Sequence, residues 1–324
     1  MTPELDTTRR FAAIVLGRAG MDLYPMPDGA ETETAETFAA EVGGSAANIA
    51  VAIARQGLPV ALLGTLSDDS VGRFVRTHLE RYSVDTSRCR AVGGTARTSL
   101  AICETRPLDS ETVFYRNGAV DLELRREDFD ASFIRSASAL VVTGTALAAE
   151  PSRTAALEAL GQARASGTLS ILDVDYRPVS WPSVEETTRV VGEAARLSDV
   201  IVGNDEEFAV LAGGRWSPLE AASEYARNGC RFVVLKKGEA GSITFTAGAS
   251  FETGIVAVEV KKPFGAGDAF LGNLIAALRA GAALETAVSR ATAAAAYVVS
   301  RRGCAFAMPT SSQLESFIKS HSSR

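Results

Sequence analysis

The sequence predicts an α/β protein with one large, mostly parallel sheet and a small inserted sheet. Short runs rich in β-branched residues alternate with helical patterns along most of the chain, as in βαβ units. Two β-rich segments, about Leu23–Val42 and Thr95–Tyr115, interrupt this alternation. The 324 residues contain no visible repeat or linker. They therefore suit a single domain, 1–324, that carries the two segments as insertions.

The apolar patterns locate the individual elements. Buried strands are predicted at Phe11–Gly17, Val60–Leu66, Ala139–Gly144, Leu169–Val174, Val200–Gly203, Phe232–Leu235 and Val256–Val260. Helices are predicted at Ala46–Gln56, Ser70–Tyr82, Pro151–Ser166, Val184–Leu197, Glu206–Ala212, Pro218–Asn228, Ala269–Ala280, Thr286–Ser300 and Gln313–Lys319. Thr98–Cys103 and Thr112–Tyr115 are predicted to pair as an antiparallel hairpin. With the first inserted segment, this hairpin would form a small sheet that covers a cleft as a lid.

The composition argues against several classes of function. A net charge of −6 and a pI near 5.2 do not suit a nucleic-acid partner, which requires a basic face. The first apolar run, Phe11–Leu16, is too short to cross a membrane, and the acidic opening shows no signal peptide. We therefore expect a cytoplasmic protein with no membrane partner. The four cysteines lack metal-ligand spacing, and neither of the two histidines, His78 and His321, stands in a catalytic context.

Polar residues follow several predicted strands, at the edge of a parallel sheet where ligands bind. Asp22 comes shortly after the first strand, and Asp173, Asp175 and Arg177 end a later one. Charges at a strand end mark a site more often than a core, since burying an unpaired charge is costly. Asp22 could bind two hydroxyls of a polyol, although its position alone favours a turn-forming aspartate.

Gly43 and Gly44 lead into the helix that carries Asn48. Glycines let the backbone approach a ligand closely, and the Asn48 amide offers both a donor and an acceptor. The alternative is a plain loop-to-helix junction that is capped by Ser45.

Acidic residues cluster in Asn204-Asp205-Glu206-Glu207, after another strand. This cluster suits Mg²⁺, which is usually held through water by one or two carboxylates and by phosphate oxygens. The alternative is an acidic helix N-terminus. After the next strand, Lys237 and Gly238 could lie against nucleotide phosphates.

The turn Gly265-Ala266-Gly267-Asp268 is the most informative stretch. Its small residues leave backbone N–H groups uncovered at the start of a helix, which predicts an anion site. The turn lacks the Lys-Ser/Thr ending of a P-loop. Asp268 could accept a proton from an alcohol that attacks a phosphoryl group, or it could simply cap the helix.

Together, the diglycine-Asn, Asn-x-x-Glu and Gly-Ala-Gly-Asp motifs resemble those of the ribokinase-like (PfkB) carbohydrate kinases, from Phe11 to about Pro309. The resemblance implies a ribokinase-like three-layer α/β/α fold with a small β-sheet lid, and ATP and Mg²⁺ as cofactors. It implies Asp268 as the catalytic base and the amides of Gly265, Ala266 and Gly267 as an anion hole. The remaining implied contacts are the sugar at Asp22, Gly43, Gly44 and Asn48, Mg²⁺ at Asn204 and Glu207, and the nucleotide at Asn204, Lys237, Gly238, Gly265 and Gly267.

Finer motifs are similar to those of family members that phosphorylate deoxy-keto hexonic acids. These motifs are Gly17-Arg18 with Asp22–Pro25, Asp173–Pro178 with Trp181, Lys262–Phe264, and Arg301–Pro309. The implied reaction is phosphorylation of O6 of 5-dehydro-2-deoxygluconate, with Arg116 and Arg177 as partners of its carboxylate. The alternatives are 2-keto-3-deoxygluconate as substrate, or a non-catalytic sugar-acid sensor. The lid could also mediate a homodimer.

Lys262 departs from the pattern of many relatives, which carry an aspartate there that helps to hold a monovalent cation. A lysine ammonium could place its own charge where that cation would be. Alternatively, Lys262 points to solvent and the cation site is simply missing. Both interpretations predict an enzyme that does not need potassium.

Overall fold

The computed structural model describes residues 5–106, 109–262 and 264–321, which form two separate β-sheets and the helices around them. The strands are β1 (Phe11–Leu16), β2 (Gly20–Met26), β3 (Thr37–Gly43), β4 (Val60–Ser67), β5 (Val84–Val92), β6 (Leu100–Cys103), β7 (Thr112–Tyr115), β8 (Ala137–Thr143), β9 (Leu169–Asp173), β10 (Val200–Asn204), β11 (Phe232–Lys236), β12 (Ser242–Phe245) and β13 (Ser250–Thr253). The helices are α1 (Ser45–Arg55), α2 (Ser70–Arg81), α3 (Ala131–Arg135), α4 (Ser152–Ser166), α5 (Val184–Arg196), α6 (Asp205–Ala212), α7 (Pro218–Arg227), α8 (Ala266–Arg279), α9 (Leu284–Val299) and α10 (Ser311–His321).

The larger sheet has the strand order β13-β12-β11-β10-β9-β8-β1-β4-β5. Neighbouring strands from β5 to β11 pair in parallel, whereas β12 and β13 continue the sheet antiparallel. Alternate residues of β1 enter opposite core layers: Ala13 and Val15 pack with α1, α2, α8 and α9, and Ile14 and Leu16 pack with α3 to α7. This three-layer arrangement around a mostly parallel sheet confirms the predicted fold class.

The smaller sheet has the order β3-β2-β6-β7 and comes from the two inserted segments. The predicted hairpin is confirmed, because β6 and β7 pair antiparallel with Leu100 opposite Tyr115. The two segments join where β2 pairs with β6 in parallel. Residues 107 and 108 of the second segment, and Pro263 before the anion turn, lie outside the described residues. That this sheet opens and closes as a lid stays a prediction.

The predicted strand Val256–Val260 is wrong. Residues 254–260 form no strand; instead, Val256 and Val258 pack against a cluster from α9 and α10 that includes Tyr297 and Phe317. An alternating pattern requires only that one face be covered, and here helices cover it.

Sequence analysis also missed β5, β12 and β13, which lie at the two ends of the larger sheet. Polar residues such as Asp85 and Arg88 in β5 weaken the apolar signal of these outer strands. None of the helices in the described part of the chain is both long and apolar enough to span a bilayer.

Candidate active site

A cavity of about 460 Å³ lies between the carboxyl ends of the parallel strands and the smaller sheet. Seven of the predicted site residues line it: Asp22, Gly44, Asn48, Arg116, Arg177, Gly265 and Asp268. The smaller sheet contributes Ala101, Cys103, Thr112 and Phe114. A larger cavity of about 950 Å³ lies beside α9 and α10, but no predicted site residue lines it. The cavity of about 460 Å³ is therefore the candidate active site.

The turn before α8 holds Asp268 at the cavity. Gly265 has φ 84°, and a Cβ at that position would lie 3.0 Å from the Cys304 sulfur, so this position requires glycine. No side chain caps α8, which argues against the capping interpretation of Asp268. The carboxylate of Asp268 instead accepts a hydrogen bond of 2.8 Å from Nδ2 of Asn48. Burial and the nearby Asp175 carboxylate raise the pKa of Asp268 to about 6.

Asp22 is buried at the side of the cavity that the smaller sheet forms. A Cβ on Gly43 would lie 2.0 Å from Cγ of Asp22, so Gly43 leaves space for this carboxylate. The Tyr24 hydroxyl donates to Asp22 across 3.4 Å, and burial raises the pKa of Asp22. Asp22 is therefore a buried residue of the cavity wall and not a solvated turn residue, and its role toward sugar hydroxyls stays a prediction.

Asp175 links three elements at the centre of the site. It has φ 36° and accepts hydrogen bonds from the hydroxyls of Ser45 at 2.5 Å and Thr145 at 3.1 Å. Gly44 is the N-cap of α1 and no side chain caps that helix, so Ser45 is not the cap that the alternative required. Arg177 forms an ion pair of 3.0 Å with Asp175 and remains 56% exposed.

Arg116 is much more constrained than Arg177. Its guanidinium forms an ion pair of 2.5 Å with the buried Asp121, and it also donates to Oγ of Ser180 and to the backbone carbonyl of Thr145. Its charge is therefore already balanced before any substrate binds.

Asn204 and Glu207 begin α6 as a reciprocal cap. Oδ1 of Asn204 accepts from the Glu207 amide at 2.9 Å, and Oε2 of Glu207 accepts from the Asn204 amide at 2.7 Å. The backbone amide of Tyr176 donates to the other Glu207 oxygen, so this carboxylate also contacts the segment that follows β9. These residues therefore form the N-terminus of a helix, as the alternative interpretation expected. Their role in binding Mg²⁺ stays a prediction.

Lys236 lies beside the anion turn, although sequence analysis selected its neighbours Lys237 and Gly238. Lys237 forms an ion pair of 3.8 Å with Asp205, and Gly238 begins a short turn after β11. The Lys236 ammonium instead lies 3.2 Å from the place that a Cβ on Gly267 would occupy. Burial opposes its charge, but the attraction of Glu207 and other carboxylates raises the pKa of Lys236. Strand alternation could have separated the two lysines, since neighbouring side chains of β11 point to opposite faces.

Lys262 does not point to solvent. Its side chain is fully buried, and Nζ donates to the Phe264 carbonyl at 2.6 Å. Nζ also lies 3.3 Å from the place that a Cβ on Gly265 would occupy. The interpretation in which Lys262 points to solvent is therefore wrong.

The anion turn, the half-buried Asp268 and the lysines Lys236 and Lys262 lie close together at this edge of the sheet. The chain belongs to the pfkB family of carbohydrate kinases, because the family model matches residues 12–311. This confirms the family resemblance and the prediction that the protein is an ATP-dependent sugar kinase.

Curated relatives match along nearly the whole chain. The chain is 43% identical to 5-dehydro-2-deoxygluconokinase from Photobacterium profundum, over 97% of both chains. It is 38% identical to 5-dehydro-2-deoxygluconokinase from Geobacillus kaustophilus, over 98% of this chain and 96% of the relative.

Solved structures of carbohydrate kinases show the same fold. Fructokinase with bound ATP from Xylella fastidiosa matches with a TM-score of 0.84 and 26% identity, over 96% of this chain and 99% of that one. Aminoimidazole riboside kinase from Salmonella enterica, complexed with aminoimidazole riboside and an ATP analog, matches with a TM-score of 0.79 and 25% identity, over 94% and 99%.

Proposed function

We propose that this protein transfers the γ-phosphoryl group of ATP to O6 of 5-dehydro-2-deoxygluconate. The observation that carries the proposal is Asp268, a carboxylate with a raised pKa that lies beside uncovered backbone amides at one end of a sugar-sized cavity. The curated relatives support the choice of substrate, because they carry that activity in their names and align end to end.

The chemistry follows from the positions of the side chains. Asp268 takes the proton of the O6 hydroxyl as that oxygen attacks the γ-phosphorus, and ADP leaves. The amides of Gly265, Ala266 and Gly267 donate to the oxygens of the transferred group. Lys236 adds positive charge above the same turn. Lys237 and Gly238 contact the rest of the nucleotide.

The sugar acid is bound by groups that already face the cavity. Oδ1 of Asn48 is buried and accepts no hydrogen bond from the described residues, so it suits a sugar hydroxyl. Asp22 accepts from further hydroxyls, and Gly44 lets the substrate approach the backbone. Arg116 and Arg177, whose charges are paired with Asp121 and Asp175, donate N–H groups to polar oxygens of the substrate.

Asn204 and Glu207 suit a Mg²⁺ ion that binds together with ATP. Mg²⁺ is usually held by one or two protein groups together with water and phosphate oxygens, and Asn204 and Glu207 could supply those protein groups. Burial and, to a smaller extent, the repulsion of Asp175 and Glu207 raise the pKa of the neighbouring Asp173. We place Asn204 and Glu207 next to the ion, which when bound neutralises charge on the phosphates.

The substrate assignment is tested by measuring ADP release with each of the two keto-acids. We expect kcat/KM to be at least about tenfold higher for 5-dehydro-2-deoxygluconate, a difference of about 1.4 kcal/mol. Phosphorus NMR should locate the phosphate on O6. A preference for 2-keto-3-deoxygluconate would establish the alternative substrate, and tight binding without turnover would establish a sensor. Asp268→Asn protein, purified in the same way, controls for contaminating kinases.

The acid limb of the pH profile should report the pKa of Asp268. Because the base must be ionised, kcat/KM should fall below about pH 6 by a factor of ten per pH unit. The hydrogen bond from Asn48 lowers this pKa, so Asn48→Ala should move the limb to higher pH. If the acid limb of Asn48→Ala stays at the same pH as that of the wild type, the group that titrates is not Asp268.

Lys262 should replace a monovalent cation at the anion turn. Activity should be equal in sodium, potassium and tetramethylammonium buffers, and Lys262→Met should lower kcat roughly 10- to 100-fold, since a unit charge a few ångströms away is removed. Lys261→Met removes the exposed neighbouring charge and should leave kcat unchanged. Strong potassium activation of the wild type, or an unchanged kcat in Lys262→Met, would contradict this role.

We further propose a cytoplasmic enzyme that forms homodimers through the smaller sheet. Its four cysteines are free and buried, which suits a reducing compartment. The smaller sheet exposes aromatic side chains, with Phe38 at 38% and Tyr115 at 57% exposure, and such residues are common at interfaces. Analytical ultracentrifugation should give a dimer for the wild type and a weaker one for Phe38→Ser/Tyr115→Ser.

A further inference from the structure

We propose that Arg18 binds the substrate carboxylate and makes the cavity selective for an acid over a neutral sugar. The inference rests on the proposed function and adds a specificity residue to it. Arg18 lies two residues after the end of β1 and lines the cavity between the large sheet and the smaller one.

The side chain of Arg18 is held in place but its donors are left free. Nη1 donates to Oγ of Ser99 at 3.2 Å, and the guanidinium lies 5.7 Å from the centre of the Phe114 ring. An arginine has five N–H donors, and the other four of Arg18 donate to no atom of residues 5–106, 109–262 or 264–321. A fixed guanidinium with free donors beside a cavity is suited to a planar, two-oxygen anion.

Charge balance distinguishes Arg18 from the two other arginines at the cavity. Arg116 pairs with Asp121 at 2.5 Å, and Arg177 pairs with Asp175 at 3.0 Å. Arg18 has no carboxylate within 4.0 Å in the described part of the protein. Arg116 and Arg177 can therefore donate hydrogen bonds to any polar group, whereas Arg18 brings a charge that only an anion balances.

The neighbours of Arg18 support the same assignment. Asp22, which faces the sugar hydroxyls, is the nearby acidic residue whose pKa the charge of Arg18 lowers. Arg18, Asp22 and Asp268 line the same cavity, so one sugar acid can present its carboxylate to Arg18, a hydroxyl to Asp22 and its primary alcohol to Asp268. Ser99 and Phe114 both belong to the second inserted segment. The position of Arg18 at the cavity therefore depends on contacts with the segment that forms part of the smaller sheet.

The test compares two substrates that differ only in charge: 5-dehydro-2-deoxygluconate and its carboxamide. Wild-type protein should prefer the acid by about 10- to 100-fold in kcat/KM, through KM, which is the usual worth of a charge-assisted hydrogen bond. Arg18→Gln should lose most of that preference while the KM for ATP stays the same. Arg18→Lys should restore part of it, and Ser99→Ala should reduce it less than Arg18→Gln does.

Two controls make the comparison specific. Arg177→Gln removes an arginine whose charge is already paired, so it should weaken acid and amide by similar factors. Arg73→Gln removes an exposed arginine outside the cavity and should change nothing. Melting temperatures and calorimetric binding of the acid without ATP show whether Arg18→Gln is folded and whether the loss is in binding.

The outcomes separate this inference from the proposed function. Wild-type turnover of the acid with an equal loss of acid and amide in Arg18→Gln would overturn the role of Arg18 and leave the function intact. Loss of the preference in Arg177→Gln but not in Arg18→Gln would assign the carboxylate to Arg177. Absence of both turnover and binding of the acid by wild-type protein would overturn the function itself.

Discussion

Asp268→Asn should lower kcat about 100-fold or more. At pH values above 7, the same substitution should raise the melting temperature of the protein. The loss of rate follows because the amide cannot accept the proton of the attacking alcohol, and a general base is worth about 10²–10⁴ in rate. The KM for ATP should change little. Stopped-flow or coupled assays give kcat, and calorimetry gives the melting temperature.

Replacing a helix-capping aspartate destabilises a protein, whereas replacing Asp268 should stabilise this one. Because burial raises the folded-state pKa of Asp268 from its ordinary value of 3.8 to about 6, ionising this carboxylate costs stability progressively between about pH 4 and pH 6, and the full cost is present above pH 6. The asparagine variant avoids this cost, which is about 1–2 kcal/mol for a half-buried group. The advantage should be absent near pH 4. A cap residue would instead lose stability on substitution, so a destabilised variant with near-normal kcat would remove Asp268 from the mechanism.

Lys236→Met should lower kcat by about 10²–10³, as the loss of one donor to a developing negative charge does. The lysine lies above Gly267 and makes no hydrogen bond or ion pair shorter than 4.0 Å within the described ranges. Its three donors are therefore available to the transferred phosphoryl group. Methionine has a similar length and no charge, so the substitution removes mainly the charge.

A second readout distinguishes this role from a structural one. The charge of Lys236 lowers the pKa of Asp268, so its removal should move the acid limb of the pH profile above pH 6. Lys237→Met is the matched control, and it should affect the KM for ATP more than kcat. If Lys236→Met keeps its rate and its pH profile, the phosphoryl group has another partner.

The family and the chemistry of the site could be read from short motifs. The turn Gly265–Asp268 requires small residues because its backbone is the binding surface, and φ 84° at Gly265 explains why the sequence keeps glycine there. Strands buried on both faces have continuous apolar runs, which is why β1, β8 and β10 were predicted nearly to the residue. These features depend on local backbone geometry and burial, and both leave a direct record in sequence.

Other features depended on which segments come together in space. The alternation in Val256–Val260 predicted a strand, but the packing of α9 and α10 against it took the place of a neighbouring strand. The sequence favoured Lys237 as a site residue, but only the structure shows that the Lys236 ammonium lies beside Gly267 whereas Lys237 pairs with Asp205.

The sequence by itself determined the fold class and the family and predicted a base at Asp268, because each rests on a pattern of residues within short stretches. Only the tertiary structure decided which charges are free. Arg116, Arg177 and Arg18 look alike in sequence, but Asp121 balances the first and Asp175 the second, while Arg18 has no carboxylate partner in the described part of the chain. Electrostatic energy depends on distances of a few ångströms between residues far apart in the chain, and those distances exist only once the chain has folded.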